Sequence, residues 1–153
     1  MATAIELARG RTFAVVLEPG ESVIASLGDA CLGAGITQGF VPVFSGAFRS
    51  ATLIGTTDPI DDVDAPLRDS VTIENAEGLG SGTIATTDGV LGIHLHVTVG
   101  AKANAAAGAS GHLLDAVVQY PVEIIIEEVL EPTFERRAND RARGIPTLGF
   151  LAE

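Results

Sequence analysis

The chain has 153 residues, enough for one domain with a sizeable core, and is 46% hydrophobic but only 5% aromatic. Nine basic residues against twenty acidic ones give a net charge of −11, a balance that disfavours duplex DNA, whose phosphates are met by Lys/Arg-rich faces. No apolar run is long enough to span a bilayer, the N-terminus lacks the pattern of a signal peptide, and the single Cys31 excludes a disulfide framework, so a cytoplasmic protein is expected.

Thr12 to Leu17 reads as a first strand, closed by Glu18-Pro19-Gly20. Glu21 to Leu32 sets Val23, Ile24, Leu27 and Cys31 at helical spacing, with Ser22 or Gly20 near the N-cap and Gly35 suited to a left-handed C-cap. Cys31 is then a small core residue. Ile36 to Phe48 is expected as a strand pair or one bent strand interrupted by Pro42 and Gly46, with Ala51 to Gly55 as another short strand. Residues 56–66 are acidic and proline-bearing, hence a loop.

Ser70 to Glu74 and Gly80 to Thr86 read as strands, and Thr87-Asp88-Gly89 is a hairpin signal. Between them Gly78-Leu79-Gly80-Ser81-Gly82 lacks the Lys-Ser/Thr and following helix of a phosphate loop, and reads as a bulge or turn. Val90 to Val99 is a strand, 105–111 a flexible Ala/Gly stretch, and Leu113 to Val118 and Val122 to Leu130 two more strands. A polar tail, Phe134 to Arg141, ends in a short apolar piece near Leu148. One helix among about seven strands predicts a single α+β domain over 1–153, a largely antiparallel sheet flanked by one or two helices.

All three histidines fall between positions 94 and 112. His94 and His96 point to the same face of a strand, with Cα atoms ~6–7 Å apart, a spacing that lets two imidazoles share one metal ion. The Ala/Gly stretch can bring His112 to the same place, which makes a three-histidine site with an open position. Neutral imidazoles favour Zn²⁺, with other divalent transition metals chemically acceptable. The ion would keep its +2 charge and attract an anion or acidify a water.

Such chemistry needs a proton-transfer group. Glu123 and Glu127 share a strand face and Glu128 lies on the other; Glu123 is the chosen candidate, against a simpler role as a strand-edge carboxylate. Asp115 counts onto the face opposite His112 unless that strand is bulged. Arg49 and Arg68 stand alone in an acidic region and are candidates to clamp a ligand's carboxylate or phosphate, against a role in surface ion pairs.

The ordered set Leu17-Glu18-Pro19-Gly20-Glu21, Gly35-Ile36-Thr37-Gln38-Gly39, His94-Leu95-His96-Val97, Gly111-His112-Leu113-Leu114, Val122 to Glu128 and Phe134-Glu135-Arg136-Arg137-Ala138-Asn139-Asp140 resembles the PPC domain family, shared by plants and prokaryotes. The resemblance implies an antiparallel sheet flanked by helices, a homotrimer, and a zinc site at the histidines. It also carries a label of DNA binding, because plant members pair the domain with AT-hooks. Here Arg9-Gly10-Arg11 matches an AT-hook core, but Thr12 replaces the proline and the flanks are not basic. The expected function is a trimeric metalloprotein that binds a small anionic ligand at His94, His96 and His112, with metal-assisted hydrolysis or elimination as its chemistry. The alternative is a DNA-binding or regulatory protein with a structural metal and terminal arginines on phosphates.

Overall fold

The computed structural model describes residues 4–55 and 69–151. Seven strands, β1 (Ala8–Leu17), β2 (Gly39–Ile54), β3 (Val71–Thr87), β4 (Val90–Ala101), β5 (Ala107–Glu131), β6 (Thr133–Ala138) and β7 (Pro146–Leu151), form one sheet with a single α-helix, α1 (Val23–Ala34). The pairing is antiparallel except for one β3–β6 bridge, Thr86 with Glu135. The α+β expectation therefore holds, with α1 the only α-helix among the described residues. That helix is not long and apolar enough to cross a membrane. The acidic 56–66 segment and Arg68 lie outside the described residues.

Strands β2, β3, β4 and β5 pair in sequence, and β5 pairs back to β2, so the central sheet closes into a small barrel. The 25-residue β5 makes closure possible. On one side it pairs with β2 from His112 to Glu128. On the other it pairs with β4 up to His112 and with β1 from Val122 onward. Helix α1 packs against β1, β4 and β5, where β5 exchanges one partner for the other. Its apolar Val23, Leu27 and Cys31 are fully buried. Ser22 accepts from the Ala25 amide as N-cap, and Gly35 closes the helix in the left-handed region at φ 69°.

Alternation along the strands builds the core. Leu95, Val97 and Val99 of β4 point inward with Val118, Val122, Ile124 and Ile126 of β5, while Phe44 and Phe48 of β2 stack in parallel with centroids 5.8 Å apart.

Four sequence expectations change. The pieces expected over Ile36–Phe48 and Ala51–Gly55 merge into one bent strand, β2, which begins at Gly39, ends at Ile54 and is bulged near Pro42. Ser70–Glu74 and Gly80–Thr86 are likewise one strand, and Gly78 to Gly82 is neither turn nor bulge of β3, because the β3–β4 register runs unbroken through it. Its glycines permit close approach instead: a Cβ on Gly78 or Gly80 would lie 2.6 Å from the Thr98 carbonyl oxygen or 2.5 Å from that of His96. The supposed flexible 105–111 stretch is a hairpin turn running into β5, with Ala105 and Ala106 at φ 51° and 62°. Leu113 to Leu130 is continuous strand.

The polar tail is also structured. It forms the β6–β7 hairpin, closed by a 3-10 turn at Asp140–Ala142. Phe134 is fully buried, in edge contact with Phe40 and Phe150. Gln38, also buried, fixes β6 by accepting from the Phe134 amide at 2.7 Å and donating to the Pro132 carbonyl at 3.1 Å. A buried amide satisfied at both ends holds this segment beside β3.

Candidate metal centre

Inward Leu95 and Val97 oblige His94 and His96 to face outward from the barrel wall. His96 lies directly across the ladder from His112, the last pair before β4 and β5 diverge. Thr83 and Ser81 of β3 flank His94 and His96 on the other side. The structure thus assembles all three histidines: ring centroids are 5.1 Å apart for His94–His96, 4.6 Å for His94–His112 and 5.6 Å for His96–His112.

One nitrogen of each ring lies within 4.8 Å of the others. A tetrahedral ion bound at 2.0–2.1 Å needs nitrogens about 3.3 Å apart, so the three rings would draw closer on binding one. His94 and His112 are half-buried and His96 is exposed, so the cluster is supported from below and open to one side. His112 Nδ1 is buried with no hydrogen-bond partner. An orphaned imidazole nitrogen among two other imidazoles fits metal ligation, since a buried polar atom otherwise pairs with protein or water. Desolvation, then the positive charge of Arg136 and the neighbouring imidazoles, lowers the His94 pKa to about 4. His112 is lowered by desolvation, His96 and Arg136. His94 is therefore neutral at pH 7, the form that donates a lone pair.

Arg136 is the residue that sequence reasoning placed elsewhere, among terminal arginines that would meet phosphates. It projects from β6 over β3, where its guanidinium donates to Thr83 Oγ1 at 2.6 Å. Its Nε is buried and unpartnered, and burial lowers its pKa. A usable signal was present: read as a strand, Phe134-Glu135-Arg136-Arg137 puts Arg136 on the face of apolar Phe134. Glu135 and Arg137 then share the other face, and the two are ion-paired.

The remaining candidates lie apart from the histidines. Glu123 is on β5 opposite Val16 and Ser45, eleven residues along the strand from His112 and three strand steps across the ladder from the strand of His96. Arg49 is exposed and donates to Gln119 Oε1 at 3.2 Å. Asp115 follows a bulge, since Thr52 pairs with Asp115 but Leu53 with Leu113. Its carboxylate is engaged by Ser22 Oγ at 2.9 Å and the Ile24 amide at 3.2 Å, so it anchors the start of α1. Glu127 pairs with Arg9 at 2.9 Å. Glu128 takes two bonds from the Arg11 guanidinium, at 2.6 and 2.8 Å, and one from its amide, which hold the carboxyl pKa down at about 2. The Arg9-Gly10-Arg11 stretch is therefore part of β1 with both arginines ion-paired.

Residues 5–130 match the profile of the Plants and Prokaryotes Conserved (PCC) domain. No curated protein sequence matches the chain. Among solved structures, the metal-containing protein AF0104 of Archaeoglobus fulgidus superposes with a TM-score of 0.77 at 21% identity, over 99% of this chain and 100% of that one. A protein of Ralstonia eutropha, provisionally described as DNA-binding, gives 0.73 at 27% identity over 89% of each chain. A plant- and prokaryote-conserved (PPC) protein of Pyrococcus horikoshii gives 0.76 at 18% identity, over 96% and 97%.

Proposed function

The chain belongs to the Plants and Prokaryotes Conserved domain family, and from that premise we propose that it is a homotrimeric metalloprotein that binds a small anionic ligand at a zinc ion held by His94, His96 and His112. The observation that carries the reading is the convergence of all three imidazoles of the chain on one outward-facing spot, with His112 Nδ1 buried and unpartnered. When bound, a divalent ion with three neutral ligands keeps its charge and supplies Lewis-acid polarisation of a ligand oxygen, the chemistry of a hydrolase or lyase.

The chain's own residues prepare that site. Leu95 and Val97, packed into the core, fix the direction of the two β4 histidines. Burial keeps His94 unprotonated. The cluster lies on a barrel face that also exposes Val16, Val43 and Leu79, which supports its position near a subunit boundary. Glu123 belongs to the same face, opposite Val16 across the ladder, so its proposed proton-transfer role requires it to reach a neighbouring protomer's histidines. Arg49 would reach a ligand only in the same way, and Arg68 remains a proposed clamp.

Metal analysis of protein purified without chelator or affinity tag is the direct test. About one equivalent of zinc per chain is expected, and His94→Ala should lose it. Metal-free wild type, or unchanged content in His94→Ala, refutes the reading. A second reading, DNA binding with a structural metal, draws on the description given to the Ralstonia eutropha relative. It meets the ion pairing of Arg9, Arg11 and Arg137 with Glu127, Glu128 and Glu135, which leaves fewer arginines free for phosphates. Salt-dependent duplex binding that weakens in Arg137→Ala would favour it.

A further inference from the structure

We infer that Arg136 is the second anchor of the ligand, and that the ligand is a small carboxylic acid with another oxygen donor within chelating reach, such as a hydroxyl, oxo or second carboxylate group. This rests on the metal reading above, and it names the ligand class from the groups that surround the histidines.

Three observations on Arg136 converge. Its position is fixed, because β6 is anchored by buried Phe134 and by Gln38, and the guanidinium is held on Thr83, the cross-strand neighbour of His94. It is half-buried yet has no counterion: among the described residues the ion pairs use Arg9, Arg11 and Arg137, and the bonds Arg136 makes go to the neutral Thr83 hydroxyl and Pro146 carbonyl. Finally, its Nε is buried without a partner, so the donors left for a ligand are the second N–H of each terminal nitrogen, beyond those given to Thr83 and Pro146. A surface arginine is ordinarily solvated or paired with a carboxylate; one held unpaired beside three neutral metal-ligand side chains leaves a concentration of positive charge that an anion would neutralise.

The fork of donors on a guanidinium matches a planar carboxylate better than a spherical anion. With the carboxylate partly engaged there, the metal's open position is available to a second oxygen of the same molecule. Two anchors of this kind discriminate a chelating acid from a simple one, because acetate satisfies only one of them at a time. They also fix which oxygen is polarised, so Arg136 is a positioning residue for whatever reaction follows.

Cobalt(II) gives a readout independent of turnover, because its visible absorption reports on its ligands. Cobalt-loaded wild type should respond to lactate and to malonate at concentrations at least tenfold below those needed for acetate. Arg136→Gln should keep its cobalt but lose that advantage, so that lactate and acetate become alike, and Arg136→Lys should restore part of it. Wild type that takes up no cobalt overturns the metal reading and this inference together. Cobalt uptake with an unaltered lactate response in Arg136→Gln overturns this inference alone. Should Arg136→Gln fail to fold, Arg136→Lys and Thr83→Val decide: weakened lactate binding in both supports the assignment, and unchanged binding in both overturns it.

Discussion

His94 stands among groups that all oppose its protonation: partial burial, the Arg136 guanidinium and two further imidazoles. In metal-free protein it should titrate near pH 4 instead of 6.5. Between those values the unfolded chain binds the proton more readily than the folded one, so stability falls as the pH drops from about 6.5 toward about 4. An NMR titration of the ring protons in chelator-treated protein checks this; a midpoint near 6.5 would mean that the ring is solvated and does not feel Arg136. At this scale the histidine pair was legible in the sequence because strand alternation alone places residues two apart on one face. Arg136 escapes notice for the same reason inverted: its segment reads as a polar tail, and without a strand there is no alternation to separate Arg136 from Arg137.

The elements that hold the site are set by glycine as much as by apolar residues. Gly78, Gly80 and Gly82 occupy the inward face of β3, where a Cβ would meet β4. At Gly82 it would collide with the His94 carbonyl oxygen and lie 2.8 Å from Leu95 Cδ2. Gly82→Ala must therefore part β3 from β4 beside the histidine cluster. A loss of about 1–3 kcal/mol in urea unfolding is expected, together with reduced metal content. Gly28→Ala, in α1 with nothing within 4 Å of the added carbon, should be neutral or stabilising by up to about 1 kcal/mol. If both variants behave alike, close packing of β3 on β4 is not what those glycines serve. Composition marks such a run as a turn because glycine is the usual turn residue; here it marks where two backbones approach closely. Similarly, the Asp88-Gly89 hairpin was readable locally, with both residues at positive φ, whereas the continuity of β2, β3 and β5 through proline or glycine depends on partners distant in sequence.

For the whole molecule, the proposed trimer is assigned to the outer face of the barrel. Val16, Val43 and Leu79 are 57%, 46% and 67% exposed, and Ser45 and Glu123 bridge the row from Val16 to Leu79 across four strands. Light scattering should give a mass three times the 15.7 kDa protomer, and Leu79→Asp should reduce it to that of the protomer while its circular dichroism stays unchanged. A variant that keeps the trimer mass moves the interface to another face. With a net charge of −11 on each chain, the protomers of the proposed trimer would repel one another, so the assembly should tighten as salt is added.

The alternating strands, the capped helix, the placing of His94 and His96 on one face and the strongly acidic charge balance are legible from the amino-acid order alone. Each follows from local periodicity, local backbone preference or summed charge, none of which needs a distant residue. The folded chain alone reveals that β5 closes the barrel, that His112 lies directly opposite His96, that β2 and β3 stand between Glu123 and the strand of His96, and that Arg136 comes beside His94 from the β6–β7 hairpin. Those are matters of register and of partner exchange along one long strand, and register is fixed by which faces can be buried together, a property of the folded whole.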